Sequence, residues 1–325
     1  MKVTVLDDYQ RAFDRTEAIQ RLRRRADVEI LTEKLPTEEA LVRALRGAQA
    51  IIPIRERTRF PASLLQSLTD LELISQTGTH AYHLDMEAAT NAGIIVAMAP
   101  GSNSAAELAF GLMLAVMRRI PQSDQAMRRG DWPLVLGYAL RGKTLGILGL
   151  GKIGTGVAEI GRAFGMKIIA WGPTLTPERA SRSQVTYMPL DELLKEADVV
   201  SVHLVLSDQS RNLLNEARLR LMKKSAYLIN TARGAIVDER ALVRILQENA
   251  IAGAALDVFV EEPLAANHPL LQLDNVVLTP HLGWPTDSGF AGFAENAVTN
   301  ILDYMDGKLT RVINPEALQN RSKRG

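Results

Sequence analysis

Cysteine is missing from all 325 residues, which excludes disulfides and thiolate chemistry and suits a reducing compartment, so a cytoplasmic setting is expected. An excess of one charge is missing too: 38 Lys+Arg stand against 37 Asp+Glu, a formal net charge of +1. Without a global field, neither nucleic acid nor an anionic membrane is indicated as a partner, and a small molecule fits better. No apolar run approaches the roughly 18 residues of a membrane span. Residues 1–7 alternate apolar and polar side chains and then turn acidic, as a strand does and a signal peptide does not. The basic run Arg21, Arg23, Arg24, Arg25 and the tail residues Arg321, Lys323 and Arg324 read as solvated surface. No zinc-type constellation is visible and no metal is expected, which removes support for an alcohol dehydrogenase or an L-specific enzyme.

What is present is apolar content, 46% of the chain, enough at this length for two compact domains. Short β-branched runs at 3–6, 28–31, 50–54, 71–75 and 94–97 alternate with helical stretches, the pattern of a parallel sheet covered on both faces. A second alternation has runs at 144–149, 167–171, 199–204, 226–230, 251–256 and 276–279. The expected fold is therefore α/β, with two Rossmann-like doubly wound parallel-sheet domains. The final helical stretch, 288–306, does not extend the second sheet and should return to the first. That makes the outer, substrate-binding domain discontinuous, 1–100 with 288–325, around a nucleotide-binding domain at 101–287. The helical segment 104–119 is apolar over most of its circumference, as a domain connector or subunit contact would be. The Gly- and Pro-containing loop 129–142 reads as a boundary crossing.

Gly149-Leu150-Gly151-Lys152-Ile153-Gly154 directly follows an apolar strand and opens a helix. In that context the first glycine permits a tight turn, the second admits a pyrophosphate to the backbone, and the third lets helix and strand pack closely. The helix N-terminus then offers N–H groups and partial positive charge to the phosphates. The acidic residue expected at the end of the second strand is replaced by Gly172. Its absence removes the usual repulsion of a 2′-phosphate and leaves both NAD(H) and NADP(H) open. Arg179 is the nearest cation, with Thr174 and Thr176 as possible phosphate donors.

Of five histidines, His80, His83, His203 and His268 read as structural. His281, in Thr279-Pro280-His281, follows a strand and so reaches the carboxyl edge of a parallel sheet, where ligands of this fold class bind. Arg233 and Glu262 each follow another strand of that sheet. Reduction of a 2-keto acid needs a cation for the carboxylate and carbonyl, a proton donor for the developing alkoxide, and a group that keeps the donor charged and aimed. Arg, His and Glu supply these three functions. A nicotinamide-sensing interaction protein of the same fold is the alternative, although a pure sensor has no need of all three.

Four blocks now resemble the D-isomer-specific 2-hydroxyacid dehydrogenase family: 142–148 running into the glycine loop, Asn230-Thr231-Ala232-Arg233-Gly234, Ala255-Leu256-Asp257-Val258-Phe259 leading to Glu262-Pro263, and Thr279-Pro280-His281. The resemblance covers nearly the whole chain. It implies that Arg233 binds the substrate, that His281 is the acid/base and that Glu262 is its partner. It also implies cofactor contacts at Asp257, near the nicotinamide amide, and at His203, Val205, Thr231, Ala232 and Gly283. Arg55 would meet the distal end of the substrate, and Thr77-Gly78-Thr79 would offer backbone N–H groups to its carboxylate. A homodimer with 104–119 in the interface is implied as well. Departures from the family pattern are His80 for a glycine, Val205 for a proline, and Gly172 for the acid. No appended regulatory domain is expected.

Overall fold

The computed structural model describes residues 1–101, 104–133 and 135–321; Lys323 and Arg324 lie outside them. The chain divides into two compact units, Met1–Ser102 with Pro285–Gly325, and Asn103–Trp284. Each is an α/β unit built on one parallel sheet.

In the first unit β1 (Lys2–Leu6), β2 (Asp27–Ile30), β3 (Ala50–Pro53), β4 (Leu73–Thr77) and β5 (Ile95–Ala99) are joined by α1 (Glu17–Arg23), α2 (Glu38–Ala44), α3 (Ala62–Ser67) and α4 (Met86–Asn91). The strand order is β2-β1-β3-β4-β5. Threonine and aspartate start three of these helices: Thr16, Thr37 and Asp85 accept hydrogen bonds from Ile19, Ala40 and Ala88 N–H, so otherwise unpaired backbone donors are satisfied. β4 begins and ends two residues later than the apolar pattern predicts. Its last three residues, Ser75, Gln76 and Thr77, are polar yet fully buried. Hydrophobic patterning cannot register strand residues of that kind; hydrogen bonds hold them instead.

α12 (Asp287–Met305) packs on β4, β5 and α1. Its buried Asn300 donates to Ser75 Oγ at 3.1 Å and to Met98 O at 3.0 Å. The chain beyond it bridges the β5 edge at Val312 before α13 (Ala317–Arg321). The arginines of α1 and of the turn after it are surface residues, with Arg21 paired to Glu295, Arg23 to Asp14 and Arg25 to Asp306.

The second unit opens with α5 (Ala105–Met117) and α6 (Ile120–Arg128). There follow β6 (Thr144–Leu148), α7 (Lys152–Ala163), β7 (Lys167–Trp171), α8 (Pro177–Arg182), β8 (Thr186–Tyr187), α9 (Leu190–Glu196), β9 (Val199–Val202), α10 (Glu216–Leu219), β10 (Tyr227–Asn230), α11 (Glu239–Gln247), β11 (Gly253–Leu256) and β12 (Val276–Leu278). The order β12-β11-β10-β9-β6-β7-β8 is parallel throughout. β6, β9, β10 and β11 are buried along their whole length, as a sheet covered on both faces requires.

α5 packs on its own unit, against α7, β10, β11 and β12, with Ala109, Phe110, Leu112 and Met113 buried, while Glu107 and Gly111 are exposed and Leu108, Leu114 and Ala115 half-buried along its outer side. One expectation is corrected here. The loop 129–142 lies within the second unit and crosses no boundary. The two-residue β8 was too short to leave a sequence signal. Among the described residues no helix is long and apolar enough to cross a membrane.

Candidate active site

Because every strand of the second sheet runs the same way, the segments after β6, β7, β9, β10, β11 and β12 all emerge at one edge. The order places β6 beside β9, so the chain reverses its direction of winding there, the position at which nucleotides bind in this fold class.

The glycine loop has three distinct physical demands. Gly149 has φ +101, and a Cβ there would lie 2.7 Å from His203 O, so only glycine makes the turn off β6. At Gly154 a Cβ would sit 2.1 Å from Gly149 O, which ties α7 tightly to the turn. Gly151 is different, since a Cβ would meet nothing within 4 Å. Packing within the protein does not require glycine there, whereas an approaching pyrophosphate does. No side chain caps α7 at Gly151, so the first N–H groups of this 12-residue helix remain for an anion, with Lys152 and Ile153 as its first two residues.

Two buried polar atoms at the same edge lack a partner among the described residues: Thr231 Oγ1 after β10 and His203 Nδ1 after β9. Such atoms are rare in folded proteins and call for a ligand or water. The residues present therefore fit a dinucleotide. Val205 is 74% exposed and Gly172 is buried at the end of β7.

Arg233, Glu262 and His281 come from three different loops of this edge. Glu262 Oε2 lies 2.7 Å from His281 Nδ1, while its Oε1 accepts Phe259 N–H at 3.0 Å. Burial pushes the Glu262 carboxyl up, but the hydrogen bonds from His281 and Phe259 and the charges of His281 and Arg233 outweigh it, so the net direction is down. An ionised carboxylate only accepts, so His281 Nδ1 carries the hydrogen and Nε2 is the nitrogen that can exchange a proton. The imidazole and carboxylate are each about a third exposed, 34% and 36%.

His281 itself adopts the left-handed conformation, φ +56, which costs an L residue about 1–2 kcal/mol. Asp257 offsets that cost. Its Oδ1 accepts from Thr279 Oγ1 at 2.5 Å and Leu282 N at 2.7 Å, its Oδ2 from Gly283 N at 2.9 Å, and its backbone O from His281 N at 2.9 Å. Both carboxylate oxygens, expected near a nicotinamide amide, are thus engaged in bracing residues 279–283. Burial raises the Asp257 pKa, partly offset by these same hydrogen bonds.

The Arg233 loop is braced by Asn230, whose side chain accepts Ala232 N–H and donates to Arg233 O, both at 3.0 Å. A Cβ on Gly234 would fall 2.1 Å from the Phe259 carbonyl carbon, so glycine there lets the Arg233 and Glu262 loops touch. Sequence reading missed Asn230, Gly234 and Thr279 as supports. A polar residue or glycine flanking each charged residue at a strand end was the available signal.

In the first unit, Arg55 also has a left-handed backbone, φ +59. Its N–H donates to Thr77 Oγ1 at 2.7 Å, and Gln76 Nε2 donates to Arg55 O at 3.1 Å and Thr77 O at 2.9 Å. Gln76 Oε1 therefore accepts from His83 Nε2 at 3.1 Å. The expectation for Gly78 is corrected: its N–H donates to Ala99 O at 2.7 Å and is spent in the sheet. Its backbone, φ +108, is what requires glycine, and an added Cβ would also meet Arg55 Nη1 at 2.1 Å. Thr79 is largely exposed on this loop, and the rings of His80 and Tyr82 lie 6.0 Å apart.

Burial holds His83 and His203 down to about 4 from 6.5. Below pH 6.5 the unfolded chain takes up these protons while the folded one does not until about pH 4. Stability is therefore complete above 6.5 and should fall as pH drops towards 4, by up to about 1.4 kcal/mol per unit for each histidine. Thermal midpoints across pH 7.5 to 4.5 check this, and His83→Gln should make the decline shallower; an identical slope in that variant would contradict the assignment.

The sequence profile of the D-isomer specific 2-hydroxyacid dehydrogenase NAD-binding domain matches residues 110–283. The chain is 41% identical over 318 residues to glyoxylate reductase of Aeropyrum pernix, covering 94% of this chain and 95% of that one. To D-3-phosphoglycerate dehydrogenase of Rattus norvegicus it is 38% identical over 296 residues, 90% of this chain and 55% of the longer relative. The crystal structure of phosphoglycerate oxidoreductase from Vibrio cholerae superposes with a TM-score of 0.86 at 35% identity, covering 94% and 99% of the two chains. With these likenesses added to a fitted dinucleotide edge, the chain belongs to the D-isomer specific 2-hydroxyacid dehydrogenase family and is an NAD(P)-dependent oxidoreductase.

Proposed function

We propose that this enzyme interconverts a small 2-keto acid and its D-2-hydroxy acid, with His281 as acid/base, Glu262 as its partner and Arg233 as the cation for carboxylate and carbonyl. The 2.7 Å contact between His281 Nδ1 and Glu262 Oε2 carries the reading. It fixes which nitrogen faces the substrate and keeps a negative charge behind the imidazolium. NAD(P)H supplies the hydride when bound. As the ketone is reduced, Arg233 stabilises charge growing on its oxygen and His281 Nε2 delivers the proton; in the reverse direction Nε2 takes it back.

Gly149, Gly151, Lys152, Ile153, Gly154, Thr231 and Ala232 are the proposed cofactor contacts, with His203 and Gly283 beside them. Asp257 acts in this reading by holding the His281 loop. Arg55 and Thr79 are assigned to the distal part of the substrate. A homodimer is proposed as the working form. The outer side of α5, with Leu108, Gly111, Leu114 and Ala115 exposed or half-buried, is the proposed contact between copies, extended by α6 and the following loop, where Met127, Trp132 and Leu136 are 49%, 79% and 84% exposed. A monomeric mass in light scattering would refute that part.

The deciding experiment is an initial-rate screen of glyoxylate, hydroxypyruvate, pyruvate and longer 2-keto acids with NADH and NADPH, followed at the reduced-nicotinamide absorbance. Turnover of at least one of them is expected, and inertness towards all would favour a cofactor-sensing protein. In the same assay Arg233→Ala should lower kcat/KM by about 10²-fold or more, the scale of losing a charged transition-state contact. A value near wild type would take Arg233 out of the mechanism.

A further inference from the structure

Position 172 stands directly beside the glycine loop. Gly149 N–H donates to Trp171 O at 2.7 Å, and a Cβ on Gly172 would lie 3.8 Å from Gly149 Cα. In a dinucleotide fold this strand end meets the adenine ribose, where a carboxylate accepts from the 2′-hydroxyl and repels a 2′-phosphate. Glycine does neither. Space is not the reason for it, because the nearest atom to an added Cβ is Leu175 Cβ at 3.4 Å, an ordinary contact. The lost carboxylate changes the chemistry of the position and leaves its packing alone.

The charge that remains nearby is positive. Arg179 turns back from α8 so that its Nη1 donates to Thr174 O at 2.6 Å and to Thr174 Oγ1 at 3.3 Å. The guanidinium thus rests on the residue two places beyond Gly172, and Thr174 and Arg179 are both exposed. Between 172 and 185 the single acidic residue is Glu178. Its carboxylate is taken up by its own backbone N–H and the Thr176 hydroxyl, which lower its pKa.

We propose that the segment after β7 reads a 2′-phosphate, so that the cofactor is NADP(H), with the Arg179 guanidinium and the Thr174 hydroxyl as the determinants. This rests on the dehydrogenase reading above and adds the choice of cofactor. A phosphate monoester carries about −1.5 to −2 charges at neutral pH. A guanidinium pairs with it through charge-assisted N–H donors, whereas the ribose 2′-hydroxyl of NADH finds no carboxylate at position 172.

Binding to the apoprotein tests this without turnover. Reduced-nicotinamide fluorescence should give a Kd for NADPH at least about tenfold below that for NADH, the scale of one hydrogen bond to a charged group. By calorimetry, adenosine 2′,5′-bisphosphate should bind more tightly than adenosine 5′-monophosphate, by a margin that shrinks with added salt. Arg179→Ala should weaken the bisphosphate about tenfold and leave the monophosphate unchanged. Gly172→Asp should turn the preference towards NADH. NADH binding as tightly as NADPH would overturn the inference and leave the dehydrogenase standing. Failure of both nucleotides to bind would overturn both readings, and an unaltered bisphosphate affinity in Arg179→Ala would remove Arg179 as a determinant.

Discussion

His281→Asn should lower kcat by about 10²-fold or more, the usual scale of general acid–base catalysis, while the KM for the keto acid stays near wild type. The separation follows from geometry. Asparagine is short and polar and retains a donor for Glu262, so the braced loop 279–283 has no cause to rearrange, and Arg233 still holds the carboxylate. What disappears is Nε2, the nitrogen left over once Nδ1 is bonded to Glu262 at 2.7 Å. A loss confined to kcat is the sign of a group acting in the transition state more than in binding. Fluorescence titration with the reduced cofactor should therefore give an unchanged Kd. Turnover near the wild-type value would assign proton transfer elsewhere; a collapse in cofactor affinity would make the residue structural.

Two glycines six and three residues beyond the last residue of a single strand should respond in opposite ways to the same change. Gly154→Ala drives a Cβ to 2.1 Å from Gly149 O, a backbone atom that cannot swing aside, so α7 must be displaced from the turn. Overpacking of a rigid core costs about 1–3 kcal/mol and occasionally more, and a backbone clash belongs at the upper end. Against a total stability of about 5–15 kcal/mol, this variant should show a markedly lowered thermal midpoint together with lost nucleotide binding. Gly151→Ala puts its Cβ in open space on extended backbone, so it should keep the wild-type midpoint. Its methyl group takes the room that a pyrophosphate needs, and nucleotide affinity should fall about tenfold or more, as for a lost hydrogen bond to a charged group. Calorimetric melting with nucleotide titration checks the pair. Normal affinity in Gly151→Ala would mean that the phosphates pass elsewhere, and a wild-type midpoint in Gly154→Ala would refute the packing argument.

The parts of this protein legible from its residues are those written in local pattern. Apolar runs between helices specified two parallel sheets, because strands buried on both faces must be apolar nearly throughout. The glycine loop was legible for a similar reason, since its three glycines answer to short-range sterics. The polar strand end Ser75-Gln76-Thr77 and the packing of α5 against its own sheet were not. A buried polar residue looks like a surface one until its hydrogen-bond partners are known, and an apolar helix looks alike whether a neighbouring chain or its own sheet covers it.

The sequence by itself determined which side chains stand at the strand ends, Arg233, Glu262 and His281 among them, and that a dinucleotide loop follows β6. Only the tertiary structure decided how they serve one another: Glu262 bonds His281 Nδ1, Asp257 spends both oxygens holding a left-handed histidine in place, Gly234 lets two loops touch, and Gly78 gives up its N–H to the sheet. The physical reason is range. Backbone preference and hydrophobic period act over a few residues, whereas a hydrogen bond across 19 or 25 positions exists only after the parallel sheet has brought its strand ends to one edge.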